Sequence, residues 1–183
     1  MSTSLAGQLL VATPALLDPN FHRTVVLVLE HNDEGALGVV LNRPSELPLG
    51  EVLPPWEVRA ADPARVFWGG PVSPDAVIAL ARGGPHPTTG WRPLFDGLGA
   101  LDVELDPDEV DEAVGAVRVF SGYAGWAPNQ LEGEIEEGAW LVLGAAEGDA
   151  IAADPEDLWR AVLRRQKGRL KWLANFPPDL RAN

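Results

Sequence analysis

Thr24-Val25-Val26-Leu27-Val28-Leu29, the turn residues His31-Asn32-Asp33-Glu34-Gly35, and the returning run Ala36-Leu37-Gly38-Val39-Val40-Leu41 decide the fold. The first run is entirely β-branched or aliphatic and is bounded by polar residues, which predicts a strand buried on both faces. Gly35 can take a positive φ and close a hairpin. The return strand stops at Asn42-Arg43-Pro44. Pairing Glu30 with Ala36 sets Thr24 opposite Asn42 and His22 near Pro44. At about 3.3 Å per residue, His22 and His31 then lie roughly 20–30 Å apart, so they share no metal within this hairpin. His31 reads as an exposed loop histidine. Val25, Val26, Leu27, Val28, Val39, Val40 and Leu41 are the expected central core.

Outward from this ribbon, Gln8–Thr13 reads as a short strand ended by Pro14, followed by Asp18-Pro19-Asn20 turn chemistry. Pro48–Trp56 is broken by prolines, with one helical turn. Arg65–Trp68 is a strand running into Gly69-Gly70-Pro71, a structural turn by composition. Val77–Arg82 and Leu98–Val103 are further strands, and Gly83–Pro93 between them is a surface loop. Asp106 caps a helix with Pro107 at its first position, reaching about Gly115. Val117–Phe120 is a strand, Pro128–Glu137 a helix and Ala139–Leu143 a strand. Asp154-Pro155 opens a last helix, to about Lys167, in which Leu158, Trp159, Val162, Leu163 and Gln166 form one face. These elements predict an α/β single-domain sandwich over residues 1–183, with a mixed, largely antiparallel sheet flanked by helices. A basic C-terminal helix and tail begin at about residue 154.

The 183 residues are 46% apolar, enough for a sizeable core, and contain no cysteine. That excludes a disulfide framework, a thiolate metal site and a cysteine nucleophile. The net charge is −13, unevenly spread. Residues 158–183 hold seven basic side chains and one acid, so the remaining chain carries −19. A body this acidic repels phosphate backbones, which disfavours direct DNA binding. The amino-terminal residues show no secretion signal and no apolar run reaches membrane-spanning length, so the expected location is cytoplasmic, with no membrane partner.

The first candidate site is Ser121-Gly122-Tyr123-Ala124-Gly125-Trp126-Ala127-Pro128-Asn129-Gln130, read as a loop from a strand to a helix. Gly122 and Gly125 would bring backbone N–H groups to a helix N-terminus, Tyr123 and Trp126 would wall a pocket, and Gln130 would donate to a bound oxygen. The same residues also read as tight packing, with Trp126 in the core. A secondary site is Arg23, Asn42 and Arg43 at the hairpin end. Two arginines brought together need an anion, supplied by Asp18, Glu51 or a ligand. The acidic run from Asp102 to Glu112 is better explained by capping than by a calcium loop. No HExxH, GxSxG or paired-histidine pattern occurs, so no catalytic residue, metal ligand or cofactor is expected.

In order, these elements resemble the AlgH/YqgE family of small bacterial proteins. The resemblance rests on Leu9-Leu10-Val11-Ala12-Thr13-Pro14 with Asp18-Pro19-Asn20-Phe21, on Gly35–Pro44, on Gly69-Gly70-Pro71-Val72, on Gly122–Trp126, and on Gln130-Leu131-Glu132 with Trp140. It implies a single-domain α/β fold in the bacterial cytoplasm and brings no established catalytic residues. The expectation is a non-enzymatic regulatory or interaction protein with an unknown protein partner or a small anionic ligand. A transcriptional regulator and an enzyme acting on a small anionic metabolite stay open as alternatives. Duplex DNA should bind no better than the non-specific range of roughly 10⁻⁴–10⁻⁶ M at physiological salt, measured by fluorescence anisotropy with a salt titration.

Overall fold

The structure, a computed structural model, describes residues 3–177, so Asp179 and Arg181 of the basic tail lie outside the described residues. Strands β1 (Leu9–Ala12), β2 (Val25–Asn32) and β3 (Gly35–Val40) are antiparallel neighbours. Then come β4 (Pro44–Pro48), the short helix α1 (Leu49–Val52), a 3₁₀ turn over Pro54–Arg59, β5 (Arg65–Trp68), β6 (Val72–Arg82), β7 (Trp91–Phe95) and β8 (Leu98–Leu101). The ten-residue β9 (Val117–Trp126), α2 (Gln130–Glu136), β10 (Trp140–Leu143), α3 (Leu158–Arg164) and α4 (Arg169–Leu173) complete the chain. The described strands form one open, mostly antiparallel sheet in the order β10-β1-β2-β3-β9-β6-β8-β7, with β4 on β5 and β5 parallel to β9. The α/β class and the antiparallel character match expectation. The helices are short and only partly flank the sheet, and none is long and apolar enough to cross a membrane.

Side-chain alternation along β2 fills two cores at once. Val25 and Leu27 join Leu9, Val11, Val39, Leu41, Phe67, Leu80 and Phe120 in the main cluster, which α3 covers with Trp159, Val162 and Leu163. Val26 and Val28 point the other way, to Leu10, Val40, Leu131 and Trp140 beneath α2. A third cluster lies outside β6 and β9, where Val117, Val119 and Ala81 meet Trp56 and Trp91. All seven expected core residues of the ribbon are buried, none more than 2% exposed.

The hairpin register is as expected in its inner half and shifts in its outer half. Val26 faces Val40, Leu27 faces Val39 and Val28 faces Gly38, but Glu30 faces Leu37 rather than Ala36. Leu29 is the extra residue of a β-bulge, which turns the strand end. The bulge carries His31 inward, and its side chain is only 4% exposed. The Leu5 N–H donates to His31 Nδ1 (2.9 Å), so Nε2 carries the hydrogen donated to Glu132 Oε1 (2.8 Å). The exposed-histidine reading is therefore corrected: His31 clamps the N-terminal segment to α2.

Further boundaries differ from the sequence reading: β6 begins at Val72 rather than Val77, and the last expected helix is a 3₁₀ turn over Pro155–Asp157 followed by α3, which ends at Arg164. The segment from Asp106 is one 3₁₀ turn, Pro107–Glu109, rather than a helix to Gly115, although Asp106 and Glu109 do form a reciprocal capping box. Asp111 likewise accepts from the Ala113 N–H, so local turns consume the acidic run. Residues 91–93, placed in a loop by composition, open β7. Pro44, taken as the end of a strand stop, opens β4. The strand from Val117 does not end at Phe120 but continues through both glycines to Trp126.

Arg118 on β9 is 1% exposed. It lies over the Phe67 ring at 4.2 Å and donates to the carbonyls of Ala152 (2.8 Å) and Asp62 (2.6 Å). Burial pulls its pKa down to about 10, with nearby Asp62 opposing the shift. The strand thereby ties two irregular segments to the main core. Val26→Ala should cost about 1–3 kcal/mol, measured by urea denaturation, because both the transfer energy and a cavity are lost in a fully packed strand.

Candidate functional site

The glycine segment is a site of close backbone packing. Gly69 donates its N–H to the Ser121 carbonyl (2.8 Å), and the Val40 N–H donates to the Gly69 carbonyl (2.9 Å). A Cβ on Gly122, which has φ +74°, would lie 2.3 Å from the Gly70 carbonyl oxygen, and one on Gly70 would lie 2.1 Å from the Tyr123 carbonyl carbon. The two glycine motifs, separate in sequence, are thus one crossing point where the ends of β3 and β5 meet β9. Steric exclusion of any side chain requires glycine there.

The expected anion cradle is not assembled in that form. Tyr123, Gly125 and Trp126 pair with Val72, Leu37 and Ala36 across the ladder. Gly125 is exposed, and a Cβ there would meet nothing closer than 3.6 Å, so no close approach depends on it. Gln130 is occupied: its Oε1 accepts from the Ala127 N–H (2.9 Å) and its Nε2 donates to Glu134 Oε2 (2.9 Å). Trp126 is 6% exposed, with Phe21 and Trp140 at 6.4 and 6.1 Å between ring centres. Glu134 Oε1 accepts from both indole N–H groups at 3.1 Å. The hollow beside Trp126, about 200 Å³, is rimmed by Glu30 and Glu34, the wrong sign for an anion.

The arginine end is differently built. Asn42 caps the start of β2: its Oδ1 accepts from the Val25 N–H and its Nδ2 donates to the Arg23 carbonyl, both at 2.9 Å. Arg43 donates to the carbonyls of Asn20 (3.0 Å) and His22 (2.9 Å), with Trp68 5.2 Å away. Burial lowers its pKa, which Asp18 partly offsets. Arg23 has φ +57°, which turns its side chain off the strand course. Its guanidinium lies 4.0 Å over the Trp159 ring and donates to the Phe176 carbonyl (2.9 Å). Its pKa is lowered by burial and then by the like charge of Arg160, which itself donates to the Ala174 carbonyl. The internal ion pair with Asp18 or Glu51 is corrected: among the described residues neither Arg23 nor Arg43 forms a salt bridge, and Asp18 accepts from the Asn20 N–H instead. The arginine beside Arg23 is Arg160, far away in sequence.

Composition could not reveal one more cavity, of about 260 Å³. Leu27, Leu98 and Phe95 line it, with Arg82, Asp96 and Glu147 among its polar residues. Arg82 is engaged there by Glu147 (3.5 Å) and the Asp96 carbonyl (2.6 Å).

Substitution separates packing from recognition at the glycines. Gly122→Ala should lower the unfolding free energy by about 3 kcal/mol or more, from strain at a positive φ plus the clash, whereas Gly125→Ala should change it by less than about 1 kcal/mol. Chemical denaturation of the two variants checks this.

Residues 9–171 match the AlgH-like family. A UPF0301 protein of Streptomyces coelicolor is 50% identical over 182 residues, covering 97% of this chain and 94% of its own. One from Thermobifida fusca is 51% identical over 187 residues (96% and 94%), and one from Mycobacterium tuberculosis 47% over 182 residues (97% and 90%). A crystal structure of a Corynebacterium diphtheriae protein superposes with a TM-score of 0.87 at 30% identity, covering 96% of this chain and 94% of that one. The solution structure of the AlgH protein from Pseudomonas aeruginosa gives 0.66 at 30% identity, covering 97% and 96%. With the ribbon, the glycine crossing and the order of the elements, these matches establish that the chain belongs to the AlgH-like family of UPF0301 proteins.

Proposed function

We propose that this protein is a non-enzymatic regulatory or interaction protein of the cytoplasm that takes a small oxyanion at Arg23. Of the two sites read from sequence, the arginine end supports such a ligand and the glycine segment supports packing. The observation that carries the reading is the Arg23 guanidinium. It is stacked on Trp159, beside the like-charged Arg160, with no salt bridge to either arginine among the described residues. Two guanidiniums held close repel each other, and an anion between them relieves that repulsion through charge-assisted hydrogen bonds. Stacking on the indole and the bond to the Phe176 carbonyl hold the Arg23 fork in one orientation, which lowers the ordering cost of binding. The acidic body opposes anion approach at long range, so affinity should be modest and fall with salt.

The test is an NMR titration with inorganic phosphate at low ionic strength. Saturable shifts should appear at the Arg23 side-chain N–H groups and the Trp159 indole N–H, with a dissociation constant in the millimolar range. Arg23→Gln should abolish them and Arg160→Gln should weaken them several-fold. Shifts that never saturate, or that persist unchanged in both variants, would overturn the reading.

A further inference from the structure

We propose that the cavity between β2, the β7–β8 hairpin and the loop after β10 binds a free α-amino acid with an apolar side chain. Its floor is apolar: Leu27 and Leu98 are 2% and 4% exposed, and Phe95 and Ala150 stand beside them. On the loop side its wall is built from small residues, Ala145 and Ala146. The space is about 260 Å³. An apolar hollow of about 150 Å³ already admits a six-carbon ring. A branched aliphatic or single-ring side chain therefore fits, with room left for its polar end.

The polar groups around this floor fall into two sets. Asp149 is fully engaged: its carboxylate accepts from both Arg165 terminal nitrogens (2.8 and 2.9 Å) and from the Ala146 N–H (2.7 Å). Those bonds cancel its charge and fix the loop wall in place. Arg82 is held less completely. Its Nη2 donates to the Asp96 carbonyl (2.6 Å), but its Nε is 3.5 Å from Glu147 Oε1 and its Nη1 3.4 Å from the Glu147 carbonyl, both beyond the usual hydrogen-bond range. The Glu147 side chain is 84% exposed, so water screens the pair and it opens readily. Asp96, in the hairpin turn on the same rim, has no ion-pair partner among the described residues.

Both signs on one rim select a zwitterion. Its carboxylate takes Arg82 through short, charge-assisted hydrogen bonds, its ammonium meets the carboxylates of Glu147 and Asp96, and its side chain enters the apolar floor. A plain carboxylate would displace Glu147 yet stay beside its like charge, and a plain amine would leave Arg82 no better paired than before. A zwitterion has no net charge, so the −13 of the chain does not repel it. The cavity shares no lining residue with the Arg23 end, so the two sites are tested separately.

The probe is L-leucine, titrated into the whole protein and followed by NMR. Saturable shifts should appear at the Leu27 and Leu98 methyl groups and the Arg82 Nε–H, with a dissociation constant below about 1 mM, while the Trp159 indole N–H stays unmoved. Glycine, 4-methylpentanoate and 3-methylbutylamine, which lack the side chain, the ammonium and the carboxylate in turn, should each bind at least tenfold more weakly. Arg82→Gln and Ala145→Leu, which fills the hollow, should each weaken leucine at least tenfold. Glu147→Gln changes an exposed side chain and keeps the fold. It should weaken leucine several-fold but strengthen 4-methylpentanoate, because the like charge beside Arg82 is gone. The three analogues leave the protein untouched, so the test stands even where a variant folds poorly. Shifts that never saturate, equal binding of the acid or the amine, or Glu147→Gln moving leucine and 4-methylpentanoate in the same direction would each overturn the proposal.

Discussion

Three chain segments must approach one strand almost backbone to backbone, and the architecture depends on that approach. β9 is central: its C-terminal half pairs with β3 and its N-terminal half with β5 and β6. Where the pairing changes over, Gly69 and Gly70 lie against Gly122 at distances that leave no room for a Cβ. Without that crossing, the antiparallel ribbon and the β5–β6–β8 portion would be separate sheets, each exposing one face of the main core. The glycines give up side-chain packing and pay a conformational cost so that the sheet can be continuous.

Around this centre, polar side chains act as fasteners. Glu134 gathers both indole N–H groups and the Gln130 amide, which fixes α2 over the ribbon. His31 adds a second tie through Glu132, and Arg118 ties two irregular segments to the other side of the sheet. The helices here are short, at most seven residues, and too short to be stable alone. Packing and these fasteners hold them, and helix-forming propensity contributes little.

The charge separation read from the sequence has a structural meaning. Arg23 and Arg160 meet near the carbonyls of Ala174 and Phe176, while the stretch carrying β10 is uniformly acidic. The two regions also meet, because Arg164 and Arg165 pair with Asp157 and Asp149 of the acidic stretch.

The ribbon, its burial on both faces and its inner register were legible in residues 24–41, because β-branched runs and period-two patterning are local properties. The cap at Asp106 was legible on the same grounds, whereas Asn42, read as a strand stop, caps the start of β2 through contacts only the fold makes. Tertiary contacts decided the rest. Whether Gly122 and Gly125 make a loop or continue a strand depends on Gly70 and Leu37, more than fifty residues distant. The Leu29 bulge answers to the contacts His31 makes with Leu5 and Glu132, and the neighbour of Arg23 is an arginine on α3 rather than its expected companion Arg43. Periodicity records which face of an element is buried, but not which distant groups it meets. A strand's length and a side chain's partner are both set by those meetings.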